Sequence, residues 1–152
     1  MKSEQGRSLI EMLGILAIGA VMTAAAYTTY NTLRTNQIRN LAVSELEQIA
    51  RNTKILLETR GDYTGVSVEY LIKAGAITND AAPLGDEKWS VTAESDGAMF
   101  AINLSNISNG DCVYFSTKKL DWAEKISINK LENGGAERCI SGNANMVSFI
   151  VK

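Results

Sequence analysis

From Met12 to Met22 no side chain is polar, and that run forms the centre of an apolar stretch, Leu9–Ala26, of 18 residues. As a helix the stretch is roughly 27 Å long at about 1.5 Å per residue, close to the hydrocarbon thickness of a bilayer. A segment apolar on every face has no wet side to show, so it goes into lipid or against other chains. Lys2 and Arg7 precede it and favour a cytoplasmic amino terminus, while Arg34 and Arg39 beyond it dilute that bias.

Three readings compete for such a run. One is a secretory signal peptide, with Ala24-Ala25-Ala26 as the small-residue cleavage site. Another is an ordinary single-span anchor. Glu11 separates both from the third. A carboxylate inside an apolar run costs about 3 kcal/mol on insertion scales, and neither a discarded signal nor a generic anchor gains anything from it. Glu11 asks for a partner charge.

Composition closes off most chemistry. The chain of 152 residues has room for one modest core, and 45% hydrophobic with 21% charged residues is globular rather than disordered. It holds no histidine, which removes Ser-His-Asp and Cys-His pairs and imidazole zinc sites. Its two cysteines cannot hold a zinc ion or an iron–sulfur cluster alone. A net charge of −2 offers nucleic acid no basic surface. With no paired carboxylates, nucleophile elbow or phosphate loop, the expectation is no enzyme, no catalytic residue, no cofactor and no metal. Asp80, Asp86 and Glu87 around Pro83 lack the calcium-loop pattern and read as solvated loop charges. The charge is uneven, however: residues 1–60 carry seven basic and five acidic side chains, the remaining 92 carry eight and twelve. Chance and a basic rod joined to an acidic head explain that asymmetry equally well.

The residues Gly6-Arg7-Ser8-Leu9-Ile10-Glu11, followed by the apolar run, resemble the processing site of type IV pilins and their relatives. The resemblance implies cleavage by a prepilin peptidase after Gly6, with residues 1–6 as leader peptide and methylation of the new amino terminus at Arg7. Glu11 would then be the fifth residue of the mature chain and would pair with the amino terminus of a neighbouring copy. A carboxylate in lipid or in a packed helical core needs such a partner, so the pairing would set the register of assembly. Arg7 departs from the family, which usually begins its mature chain with Phe, Met or another apolar residue; that bears on methylation and on how deep the amino terminus lies.

The helix need not stop at the span. Between Tyr27 and Thr59 there is neither Gly nor Pro, and Ile38, Ala42, Leu46, Ile49 and Leu56 step by 4, 4, 3 and 7 along one face. One helix from about residue 8 to 59 is expected, closed by Arg60-Gly61-Asp62. At some 75 Å it is longer than a chain of this size can bury alone.

Beyond it, residues 66–77 read as a short amphipathic helix ending at Gly75, and 79–88 as a polar loop. Trp89–Glu94 and Ala98–Leu104 read as a hairpin around Asp96-Gly97. Residues 108–120 are ambiguous, leaning to helix with Asp111 near its start. Trp122–Lys130 alternates like a strand around Ile126 and Ile128, and Trp122, like Trp89, is expected to open its strand. Asn133-Gly134-Gly135 reads as a turn, and Asn145–Val151 as a last strand, apolar on both faces and so placed mid-sheet.

The expected fold is therefore α+β, the pilin-like ladle: a long helix packed on a small antiparallel sheet of three or four strands. The domain plan is leader 1–6, membrane and filament-core helix 7–27, and a periplasmic head 28–152. The spacing of the cysteines looks more like the type IVb branch, including pilins of conjugative thin pili, while the short leader argues the other way. For a head outside the cytoplasm, Cys112 and Cys139 would form a disulfide around a loop this family uses for subunit contacts. The expected function is the structural subunit of a type IV pilus, a homo-oligomeric helical filament. Its partners would be the prepilin peptidase, the assembly ATPase and platform, and the inner membrane. The alternatives are a minor pilin or type II secretion pseudopilin, or a periplasmic binding module cleaved after Ala26.

Overall fold

A computed structural model of the chain describes residues 3–129 and 137–152, with side chains from residue 8 onward. The chain divides into two units, Met1–Gln37 and Ile38–Lys152. The first helix, α1 (Ser3–Glu58), contributes to both.

In the first unit the helix is exposed on every face from Ser8 to Gln37. Leu9, Ile10, Leu13, Ile15 and Val21 all stand clear of any cover. Gly14 and Gly19 have open space where a Cβ would be, so within one copy neither is a packing point.

The second unit begins where α1 turns amphipathic. Ala42, Leu46, Ile49, Ala50, Thr53 and Leu57 are buried, a face that advances by three and four residues. The expected stripe ended on Leu56. In the structure Leu57 takes the core position and Leu56 is half-buried, because Leu57 follows Thr53 by four, close to the centre of the face that Ala42, Leu46, Ala50 and Thr53 define, while Leu56 falls at its edge. Arg60 and Gly61 donate to the Leu57 carbonyl, and Gly61 turns the chain at φ +80.

The second helix, α2 (Val68–Lys73), is shorter than its pattern suggested. Ser67 caps it by accepting from the Tyr70 amide, and Gly75 at φ +75 lets Ala76 donate back to the Leu71 carbonyl. Those two signals bound the helix and leave 74–77 outside it.

Four antiparallel strands follow, β1 (Trp89–Glu94), β2 (Met99–Ile107), β3 (Lys125–Ile128) and β4 (Asn145–Val151), in the order β1-β2-β4-β3. β1 and β2 join through Ser95–Gly97, where all three residues have positive φ and a Cβ on Gly97 would collide with Thr64. β4 pairs with both β2 and β3, the mid-sheet place that its apolar faces implied. Between β2 and β3 runs α3 (Asn109–Thr117), which buries Cys112 and Phe115.

Trp122 does not open β3. It lies in the turn before the strand, with its ring 6.0 Å from that of Phe149. Packing against the sheet replaces pairing within it, and Asn129 at φ +46 stops the strand after Ile128. The turn expected at Asn133-Gly134-Gly135 lies outside the described residues. Phe149 is the hub of the aromatic core, meeting Phe115 edge-on at 5.8 Å, while Tyr63 tilts against Phe100 at 4.7 Å.

Thr53 sits fully buried on the core face of α1, and its Oγ1 is without a hydrogen-bond partner. Desolvating a hydroxyl with nothing to bond is unfavourable. Thr53→Val should raise the unfolding free energy by roughly 1 kcal/mol, read from the midpoint of urea denaturation at unchanged slope.

Candidate functional site

Two surfaces carry chemistry here. The first is the exposed half of α1. Gly6 and Arg7 lie on its opening turns, and Glu11 follows as an exposed helical residue one turn after Arg7. From Met12 to Leu33 no charged side chain interrupts the surface.

The second surface is the segment 137–144, which has no regular secondary structure yet is held firmly. Cys112 on α3 and Cys139 are bonded, with their Cα atoms 5.9 Å apart and a sequence separation of 27. In the chain-entropy model a loop of that length stabilises the fold by roughly 3–4 kcal/mol.

Asparagines do the rest. The fully buried side chain of Asn145 donates to the Ile140 carbonyl at 2.9 Å and accepts from the Ile140 amide at 2.7 Å. Asn129 donates to the Asn145 Oδ1 and to the Arg138 carbonyl, both at 2.9 Å, and accepts from the Met146 amide at 2.7 Å. Asn109, at the start of α3, donates through its side chain to the Ile140 carbonyl and through its amide to that of Gly142. A strand-poor segment thus has its backbone satisfied by amide side chains. Sequence reasoning missed all three. Their only signal was an asparagine at a helix start, just past a strand end and at a strand start, positions where polar caps are ordinary.

α3 is in turn tied to α1. Ser108 caps it, accepting from the Asp111 amide at 3.1 Å and donating to the Asp111 carboxylate at 2.6 Å. The other carboxylate oxygen accepts from Arg39 Nε at 2.8 Å, and the Arg39 guanidinium lies 4.9 Å over the Tyr114 ring. Arg39 was read from sequence only as a topological charge. Here it joins the long helix to the disulfide-bearing one.

An open groove of about 560 Å³ lies beside α1, lined by Glu45, Ile49, Asn52, Ile72, Ala76 and Trp89. Trp89 donates to Glu45 at 3.3 Å and Asn52 to the Ala76 carbonyl at 2.7 Å along its walls. The three loop acids have separate environments. Lys88, 3.0 Å from Asp80, holds that carboxyl below its ordinary range chiefly through a hydrogen bond. Asp86 accepts from Asn106 at 2.6 Å, and Glu87 is exposed at φ +58. Among the described residues no three acids, cysteines or histidines gather as a metal site would require.

A long amino-terminal helix, a four-stranded antiparallel sheet and a disulfide-closed carboxy-terminal segment define the type IV pilin fold, and this chain has it. The crystal structure of TcpA, a type IV pilin from Vibrio cholerae El Tor biotype, matches with a TM-score of 0.63 at 12% identity, over 76% of this chain and 99% of that one. In sequence the chain is 25% identical, over 97% of its own length, to the major structural subunit of bundle-forming pilus from Escherichia coli O127:H6 (strain E2348/69 / EPEC), covering 77% of that protein. No family model matches the sequence.

The Asn145 amide is the keystone of the 137–144 segment. Asn145→Ala should cost roughly 2–4 kcal/mol, since several buried backbone groups lose their partner at once. Amide hydrogen exchange should accelerate at Ile140 and Met146, with the Cys112–Cys139 bond still intact by mass.

Proposed function

We propose that this chain is a structural subunit of a type IV pilus. The observation that carries the reading is the coincidence of this fold with an apolar helical half that a single copy leaves wholly uncovered. Similarity to a major pilus subunit over nearly the whole chain supports it. The protein works by presenting a surface many times over in a filament, and not by catalysis.

In this reading a prepilin peptidase cuts after Gly6 and methylates Arg7. The helix 7–27 holds the subunit in the inner membrane with its amino terminus cytoplasmic. An assembly ATPase and its platform then move it into a filament that emerges from the cell. During that transfer Glu11 takes the amino terminus of a neighbouring copy as counter-charge. The motif, the apolar run and the cost of an unpaired carboxylate in a packed helical core support these steps.

Intact mass and amino-terminal sequencing of the protein from sheared filaments test the processing directly. A chain starting at Arg7, heavier by one methyl group, is the expected result. A chain starting at Tyr27 would mean a cleaved signal peptide and would overturn the reading. Glu11→Ala should leave membrane insertion unchanged and reduce filament yield at least tenfold, measured as subunit recovered by shearing. Full piliation in that variant would remove the role given to Glu11.

A further inference from the structure

The polar boundary of the exposed helix does not fall where hydropathy places it. After Ala26 the sequence turns to Thr28, Thr29 and Thr32, which reads as the start of a wet segment. In the structure these hydroxyls are already used. Thr23 donates to the Gly19 carbonyl at 2.8 Å, Thr28 and Thr29 to that of Ala25 at 2.9 Å, and Thr32 to that of Thr28 at 3.0 Å. A threonine bonded back to its own helix presents mainly its methyl group, so it enters an apolar medium at little cost.

The charges bracket a longer span accordingly. Glu11 is the last charge before the run and Arg34 the first after it. Counted from Met12, a hydrocarbon layer of about 30 Å is crossed in about 20 residues, ending at Asn31. Tyr27, Tyr30 and Arg34, spaced by three and four, share one face at that end. Tyr27 and Tyr30 are 65% and 61% exposed. Aromatic rings backed by a cation are what a bilayer interface selects. Side chains on a helix lean toward its amino terminus, so the Arg34 guanidinium reaches back to phosphate level.

We propose that before assembly the helix lies in a phospholipid bilayer from Met12 to Asn31, with Glu11 among the headgroups at one face, and with Tyr30 at the hydrocarbon boundary and Arg34 among the headgroups at the other. The inference rests on the membrane-anchored subunit proposed above and changes its energetics. Glu11 is then hydrated in the membrane, and is drawn from water only when the subunit enters the filament. Its partner charge is needed at assembly rather than for insertion.

The test is a depth profile of the full chain in phosphatidylcholine–phosphatidylglycerol vesicles. Spin labels go on single introduced cysteines at Leu13, Ala17, Val21, Ala25, Asn31 and Thr35. Both native cysteines are already bonded to each other, so only the new thiol reacts. The ratio of oxygen to nickel-chelate accessibility should peak at Val21, with Asn31 at the boundary and Thr35 aqueous. Adding Tyr30→Ala and Arg34→Ala together should move the peak back toward Ala17, a shift of about 5 Å. A wild-type peak at Ala17 with Asn31 fully aqueous overturns the proposed depth while leaving the anchor in place. No peak anywhere overturns both it and the membrane reading. Loss of oxygen access with spin–spin broadening at low protein density would put a second copy, not lipid, on this face and overturn it too.

Discussion

Everything in this protein turns on a helix whose first half cannot be covered by its own chain. Between Ser8 and Gln37 the side chains are exposed on every face, including the 18 residues of the apolar stretch. At about 25 cal/mol per Å² of apolar surface removed from water, leaving such a segment in solvent is prohibitively unfavourable. The helix therefore needs a second environment, lipid or copies of itself. Polar interruptions along it are muted: the threonines bond inward, and Glu11 stands near the start of the run.

The second unit, Ile38–Lys152, folds around the second half of that helix. That half supplies one wall of the core, and the sheet with Phe100 and Phe149 supplies another. Arg39 then connects the helix to α3 through Asp111, the disulfide connects α3 to Cys139, and Asn145 connects that segment to the central strand. The outer surface around 137–144 is thus held by covalent and polar links rather than by apolar burial. Such a surface is free to vary its exposed side chains while its backbone stays in place, a useful property for something displayed along a filament.

Much of the fold was readable from periodicity. β1 and β4 occupy the residues their alternation indicated, Asp111 lies in the first turn of α3, and Gly61 and Gly75 end their helices at positive φ. The errors share a cause. Leu56 was put on the core stripe with Leu57 left off it, and Trp122 was given a strand start, because both choices treated large apolar residues as markers of local pattern. In the structure each is placed by what it packs against. The asparagine clasp was invisible for the converse reason: an amide does the same work in a cap, a turn or a buried network, and only the neighbours distinguish these.

By itself the sequence determined the long helix, its uncovered apolar half, the odd carboxylate at its start and the lack of histidine. These are matters of composition and spacing along a single direction, which a chain carries with it in any environment. Only the tertiary structure decided that Arg39 meets Asp111, that Cys112 and Cys139 come within bonding reach, and that Asn109, Asn129 and Asn145 converge on one segment. The Arg39–Asp111, Asn109–Ile140 and Asn129–Asn145 pairs are separated by 72, 31 and 16 positions and depend on how sheet, helix and turn close on one another. Contacts of that range are set by packing, and packing is not written in any local stretch.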